Sequence, residues 1–599
     1  MVFMVEQTNV MFNKTPFGAV KTDEKVSVFV SIEGFDGSSS LLIIKNELDK
    51  SRVYIEGCKE DSGFRFEFSL PCEGGYSLHM ECDDIYVGNN SYSSVEAEIV
   101  KWELTVYDRL FKTPEKFYGG IMYQIFPDRF CKSSKYTVRD TCNNRKFKED
   151  WNSLPDSPHD FPNYSANDFF GGNIDGIIER LPYLKELCVD IIYLNPIFES
   201  AENHRYSTAN YLNVDPVFGT NEQFERLAME CDALGMKLIL DGVFSHTGAD
   251  SIYFNKFNHY DSVGAYNSEL SPYYPWYVFN DYPNDYRAWW GFKNLPDVEE
   301  TNLEYLNYIM NAEDGVLNFW QRKGASGWRL DVVDELPDVF LDKLRESVKR
   351  EDEEALIIGE VWENAAKKES YGERRQFLFG NQMDSVMNYP WRDAIISYVK
   401  EGNAEALWNS VLDILESYPY PAIQCLMNLL SSHDTIRIIT ELSGVQDIPA
   451  TEQGTYILTR DEYLKGCALL MPATFLQFTL PGIPSIYYGD EIGMQGFRDP
   501  FSRMPFAYGK EDMNILEFFK KITKARSDRK EDFSSDFRLD IARDGLFAFW
   551  RGNSYCVVNT AEKIESIKKE GLKEVFNHNI LFAENELTIY PMSFGIFSR

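Results

Sequence analysis

Asp241, Asp331, Glu360 and Asp434 each stand at or just beyond the end of a short apolar run, with His246, Arg329 and His433 close beside them in sequence. One carboxylate in such a place is usually an ion-pair partner; four of them ask for another reason. Arg329 precedes Asp331 by two residues, so on a strand the two side chains share a face. A guanidinium there favours the ionised carboxylate and fixes its direction. Glu360 follows Leu356-Ile357-Ile358, and partial burial among like charges is predicted to raise its affinity for a proton. One ionised and one protonated carboxylate are what glycoside cleavage requires. The first attacks or stabilises the anomeric carbon and the second donates to the departing oxygen. Retention of configuration predicts carboxyl groups roughly 5–5.5 Å apart.

Groups so far apart in sequence need a scaffold that gathers strand ends. Eight strand candidates follow one another at Gly120–Phe126, Asp190–Leu194, Lys237–Asp241, Gly327–Asp331, Leu356–Glu360, Asp384–Met387, Ala422–Leu430 and Ser485–Tyr488. Helical patterns such as Ile174–Leu187 and Leu336–Lys349 lie between most of them. This alternation predicts an α/β chain folded as a (β/α)8 TIM barrel, whose working groups sit at the C-terminal ends of its strands. The stretch rich in Tyr, Asn and Asp after the third strand, about 247–300, predicts an inserted lobe. Residues 1–115 alternate in short segments such as Val26–Val30 and Phe64–Phe68, the pattern of an N-terminal β-sandwich. Residues 116–525 then form the barrel, and 526–599 a small C-terminal β-domain.

Sixty basic against 94 acidic residues give a net charge of −34. Such a surface repels phosphate backbones and anionic lipid, so neither nucleic acid nor membrane is an expected partner. The uncharged run Cys467–Gly489 contains Pro472, Pro481 and Pro484, and reads as a helix ending near Pro481 followed by a buried strand. Met1–Glu6 lacks the features of a signal peptide, and ten cysteines without paired spacing fit a reducing compartment. The expectation is a cytoplasmic protein.

Asp241-Gly-Val-Phe-Ser-His246, Gly327-Trp-Arg-Leu-Asp331, Gly359-Glu360-Val-Trp and Ser432-His433-Asp434 resemble, in order, the four short regions of the α-amylase superfamily (glycoside hydrolase family 13). Met122–Phe130, Asn203-His-Arg-Tyr206 and Tyr487–Met494 are similar to its neopullulanase, cyclomaltodextrinase and maltogenic amylase branch, which carries an N-terminal module of this length. The resemblance implies a retaining α-glucan hydrolase. Asp331 is then the nucleophile and Glu360 the general acid/base, while Asp434 holds the sugar's 2- and 3-hydroxyls. It further implies that His246 and His433 bind hydroxyls, Tyr206 stacks under the ring, Arg329 bridges to the nucleophile and Asp241 supports the site. Trp362 and Glu335 match leaving-side positions, and Asp499 and Arg503 match glucan contacts on the non-reducing side. Relatives in this branch often dimerise, so a homodimer is expected.

Departures from the pattern carry their own expectations. Ser245 stands where many relatives have a calcium-binding Asn, Cys131-Lys132-Ser133-Ser134 replaces a ligand-bearing run, and Asn173 replaces an acid. Calcium prefers several anionic oxygens and Lys132 repels it, so no cofactor or metal is expected to be required. Ser207, where many relatives have Asp, weakens an exo-acting reading. Val333-Asp334-Glu335 and Leu295-Pro296-Asp297 leave the preference between α-1,4 and α-1,6 links open. Glucanotransfer through the same intermediate is the alternative; a non-catalytic glucan-binding protein is a weaker one, since all three acidic groups are present.

Overall fold

The computed structural model describes residues 10–34, 37–138, 144–157, 165–446 and 448–599. Two compact units divide the chain. One holds residues up to Thr113 together with Glu363–Asp384 and Ser410–Ile423; the other holds the remainder.

In the first unit, strands Val10–Thr15, Val26–Ile32, Gly63–Phe68 and Cys58–Glu60 form one sheet, and a second sheet is built around Gly74–Cys82. Strand Val26–Ile32 alternates buried and half-buried residues along its whole length. Its buried Val26, Val28 and Val30 meet Leu42, Ile44, Phe66 and Leu78 in one apolar cluster. Two faces covering one core is the sandwich arrangement that period-2 patterning produces.

The second unit contains eight parallel strands: Met122–Ile125, Ile191–Leu194, Lys237–Gly242, Ala325–Leu330, Leu356–Gly359, Ser385–Val386, Met427–Leu429 and Ile483–Tyr487. Each pairs with its neighbours in chain order, and the eighth pairs with the first. A parallel bridge from Met387 to Met427 joins the sixth to the seventh and closes the barrel. Alternate residues of three strands, Ile191 and Tyr193, Leu356 and Ile358, Met427 and Leu429, fill the interior. The barrel is thus a packed core, each fully buried aliphatic group contributing roughly 1.5–3 kcal/mol.

Helix starts follow local chemistry. Asn173 caps Ile174–Glu186, Asn388 caps Tyr389–Glu401 with proline in its first turn, and Thr459 with Glu462 forms a capping box on Arg460–Thr479. This last helix spans Pro472 and leads into the eighth strand, which accounts for the uncharged run. Among the described residues no helix is long and apolar enough to cross a membrane. The seventh strand is much shorter than its apolar run suggests, because Tyr420–Gln424 forms a helix first. A six-stranded antiparallel sheet over Phe537–Ser598 ends the chain.

Between the third and fourth strands lies a lobe with little regular structure, held by aromatic packing. Phe254 meets Tyr277 at 4.9 Å and Tyr286 at 4.7 Å, edge to face. Backbone bridges from His246 to Asp297 and from Tyr277 to Val298 tie its two ends together. At its exit Glu300 is pushed up to about 8, mainly by burial and further by Asp297 and Glu299, with Arg287 opposing. Its carboxyl holds a proton in the folded chain at pH values where the unfolded chain has lost it. Stability therefore falls as pH rises from the ordinary carboxylate range to about 8. Glu300→Gln removes that loss. Its unfolding free energy should exceed that of the parent at pH 8 by on the order of 2 kcal/mol after allowance for partial exposure, with little difference near pH 4.5. An equal difference at both pH values would contradict this.

Candidate active site

Backbone pairing carries the key residues just past their strands. Asp331 N–H donates to Gly242 O at 3.0 Å and Glu360 N–H to Leu330 O at 3.0 Å. Asp241 and Arg329 are direct neighbours in the register of the third and fourth strands. All seven groups named first in the sequence come together at the C-terminal rim.

Arg329 is the hub, and it is almost wholly buried. Its Nη1 lies 2.7 Å from Asp331 Oδ1 and 2.9 Å from Asp241 Oδ1, and its Nη2 lies 2.8 Å from Glu360 Oε2. One guanidinium thus serves three carboxylates. Arg329 favours the ionised form of Asp331, as the sequence predicts, while also facing Asp241 and Glu360. Burial lifts the Asp331 carboxyl well above the ordinary carboxylate range; Arg329 opposes the rise, and Glu360 and Asp241 add to it. Asp241 is raised as well, again by burial, against Arg329 and hydrogen bonds from Tyr193 and Tyr206.

Glu360 is gripped from two sides. Val332 N–H donates to Oε2 at 3.0 Å and the Trp362 indole Nε1–H to Oε1 at 3.1 Å. Val332 holds a φ of +42°, a left-handed conformation that is costly for a β-branched side chain. Trp362 is stacked at 3.8 Å on Tyr389 yet remains 46% exposed, a flat apolar face beside the carboxyl.

The other flank is a relay of hydrogen bonds. Tyr206 lies parallel to His433, with ring centres 5.3 Å apart, and its hydroxyl donates to Asp241 Oδ2 at 2.9 Å. Amide groups of Gln124 and Asn195 face His433 Nδ1 at 3.1 and 3.2 Å, which favours the tautomer with its proton on Nε2. That nitrogen lies 2.5 Å from Tyr206 Oη and 3.1 Å from Asp434 Oδ2. Burial, with Arg503 and Arg329 nearby, drops His433 well below its usual range and keeps it neutral. Burial likewise takes His246 down to about 4; its Nδ1 pairs with Ser245 Oγ at 3.0 Å.

Arg503 is buried, and its fork is taken up by protein: Nε to His433 O at 3.0 Å, Nη2 to Asp434 at 3.2 Å, Nη1 to Asp499 at 2.9 Å. The Nη2 contact holds Asp434, while Asp499 is exposed. Glu335 accepts from the Trp290 indole at 2.7 Å. Gln124, Asn195, Tyr193, Tyr389 and Trp290 were not singled out from sequence. Asn195, directly after the second strand, could have been found by its place at a strand end.

One position corresponding to a calcium ligand of the family, Asn173, has its side-chain oxygen engaged by the protein. Asn173 Oδ1 accepts from Gly176 N at 2.9 Å and Ser133 N at 3.2 Å, so the oxygen a cation needs is already engaged. Among the described residues no group of three or more His, Cys, Asp or Glu side chains could hold a metal.

The family model for the α-amylase catalytic domain matches residues 124–546. An amylopullulanase from Thermoanaerobacterium thermosulfurigenes is 35% identical over 91% of this chain and 32% of its own length. Neopullulanase 2 from Thermoactinomyces vulgaris is 33% identical over 80% of this chain and 74% of its own. The ligand-free cyclic α-maltosyl-(1→6)-maltose hydrolase from Arthrobacter globiformis superposes with a TM-score of 0.66 at 25% identity, covering 81% of this chain and 99% of that one. This chain spans only 32–47% of the length of the amylopullulanases it matches. With its closed parallel barrel and carboxylate-lined rim, the chain belongs to the α-amylase family, in the branch of the neopullulanases, cyclomaltodextrinases and maltogenic amylases.

Proposed function

We propose that the protein is a retaining α-glucan hydrolase that cleaves α-1,4 and also α-1,6 glucosidic bonds in maltodextrins, starch, pullulan or cyclodextrins. The observation that carries this reading is the pair Asp331 and Glu360, held at opposite nitrogens of one buried guanidinium. In the first step Asp331 attacks the anomeric carbon, the bond to the leaving oxygen breaks, and the Glu360 proton passes to that oxygen. In the second, Glu360 takes a proton from water, the water oxygen bonds to the anomeric carbon, and the ester to Asp331 breaks. Two inversions leave the α configuration. Asp434, held by Arg503 and facing His433, is placed to bind two hydroxyls of the same sugar as it flattens towards the oxocarbenium ion. The α-1,6 component is supported by the names of the amylopullulanase and neopullulanase relatives.

Incubation with starch, pullulan, cyclodextrin and maltotriose, followed by proton NMR of the fresh products, tests the reading. The α-anomer should appear first, and pullulan should be cut. A β-anomer appearing first, or no reducing ends from any of the four, would overturn it.

The same reading includes independence from metal, on the ground that Asn173 is engaged by backbone amides and that the Lys132 ammonium lies beside Gly171. Exhaustive treatment with EDTA should leave most of the activity and the unfolding midpoint in place; loss restored by calcium would refute this point. A cytoplasmic setting is likewise part of the proposal, resting on cysteines without a pairing pattern. Homodimer formation is proposed from the resemblance alone, and sedimentation velocity tests it.

A further inference from the structure

Glu202 carries a largely buried charge outside the group of carboxylates described above. Its side chain is 15% exposed, and no Lys or Arg among the described residues pairs with it. Burying an acid without a cation is costly, so its two oxygens must be engaged in another way. Oε1 accepts from the Asn294 side-chain amide at 3.0 Å, and Oε2 faces His204 Nε2 at 3.2 Å. On the far side of that ring, His204 Nδ1 accepts from the Tyr206 backbone N–H at 3.1 Å. A ring nitrogen that accepts carries no proton, so the proton of His204 sits on Nε2, towards Glu202. A carboxylate facing one imidazole nitrogen thereby fixes the tautomer that the other nitrogen needs.

Both partners of Glu202 lead to groups of the site. Tyr206 follows Arg205, which is fully buried and holds a φ of +61°, a left-handed conformation disfavoured for any residue but glycine. The turn is closed by Arg205 N–H to Glu202 O at 3.1 Å, and Glu202 N–H donates to Ser200 Oγ at 3.2 Å. His204 thus secures the Tyr206 amide at the end of a strained turn, and the Tyr206 hydroxyl goes on to Asp241 and His433. Asn294 belongs to the last stretch of the inserted lobe. Its carbonyl accepts from Ala249 N–H at 2.8 Å, and Pro296 O accepts from Thr247 N–H at 3.1 Å, beside the His246–Asp297 bridge. One carboxylate therefore joins the loop that carries Tyr206 to the base of the lobe, where His246 stands.

We propose that Glu202 is a positioning residue for the reaction. It acts through His204 on the Tyr206 backbone and through Asn294 on the base of the lobe, so that Tyr206 and His246 meet the reacting glucose in one fixed arrangement. This rests on the reading above, with Tyr206 under the sugar ring. A ring that flattens asks most of its floor in the transition state, so the loss should fall on kcat rather than KM. The test uses α-maltosyl fluoride, whose leaving group occupies no sugar subsite. Glu202→Ala should lower its kcat about tenfold and change KM less than about twofold, with circular dichroism checking the fold. Glu202→Gln has one oxygen for two donors and should lose less. Glu202→Gln/Asn294→Asp reverses that pairing. The glutamine amide then donates to the new carboxylate and leaves its oxygen for His204, so most of the rate should return. In ¹⁵N spectra of the seven histidine rings, the His204 signal, assigned with His204→Asn, reads the tautomer directly. Nδ1 should be unprotonated in the parent and in the exchanged pair, and a mixture of tautomers should appear in Glu202→Ala. An unchanged kcat in Glu202→Ala, a tautomer indifferent to the substitution, or an exchanged pair that recovers neither would overturn the proposal. Parent enzyme that releases no fluoride would instead overturn the reading of the reaction, and the His204 spectra would still decide the hold on Tyr206.

Discussion

Asp331→Ala should lower maltotetraose cleavage by about four orders of magnitude, with no burst of fluoride from α-maltosyl fluoride. Glu360→Gln should lower maltotetraose cleavage to a similar degree yet give a fluoride burst of about one equivalent, followed by a stall. The difference follows from the chemistry of the leaving group. Fluoride departs without protonation, so the first step needs the Asp331 carboxylate but not the Glu360 proton. The second step needs a base to activate water, and the glutamine cannot act as one. Rapid-quench measurement of fluoride separates the two roles, and circular dichroism checks that both variants fold. A burst in Asp331→Ala, or its absence in Glu360→Gln, would reverse or remove the assignment. Because burial holds the Asp331 carboxyl high, the acid limb of kcat/KM in the parent should lie above the ordinary carboxylate range.

The barrel was legible because its strands are short apolar runs with charge at their ends. Leu356–Gly359 is one such run, buried throughout, with Glu360 as the first group beyond it. A residue's place at a strand end can be read locally, and so Asp241, Asp331, Glu360 and Asp434 were found. The division of charge among them could not be. Sequence places Arg329 two residues from Asp331, but its contacts to Asp241 and Glu360 depend on strand register and side-chain reach. The same limit hid Trp290, whose partner Glu335 is 45 positions away along an irregular lobe. It also hid the grouping of Glu363–Asp384 and Ser410–Ile423 with the N-terminal sheets. Within Glu363–Asp384, long contacts such as Ala365 N–H to Tyr418 Oη at 2.7 Å leave no local periodicity. The seventh strand was overestimated because a buried helix and a buried strand look alike in apolar content.

Arg329 offers the sharpest test of how the three carboxylates share one charge. Arg329→Met removes the buried cation and keeps comparable apolar volume. Asp241, Asp331 and Glu360 then face one another without compensation, and removing one partner of a buried ion pair typically costs about 3–5 kcal/mol. The sign of its pH dependence is fixed. With Arg329 gone the Asp241 and Asp331 carboxyls are pushed further up in the folded chain, while the unfolded chain keeps ordinary values. The folded variant therefore holds protons that the unfolded one has released. Its stability deficit should be small near pH 4 and should grow as pH rises through the ordinary carboxylate range towards neutrality. Activity should fall by about a hundredfold or more, and the acid limb of kcat/KM should move to higher pH, since the nucleophile ionises later. Arg329→Lys keeps a charge but lacks the fork that reaches three oxygens. It should recover part of the stability and less of the rate. Urea unfolding at pH 4.5 and 7.5, with the pH profile of fluoride release, measures both. A deficit equal at the two pH values, or an acid limb left in place, would mean that Arg329 is only a packing element and that the carboxylates are balanced by something else.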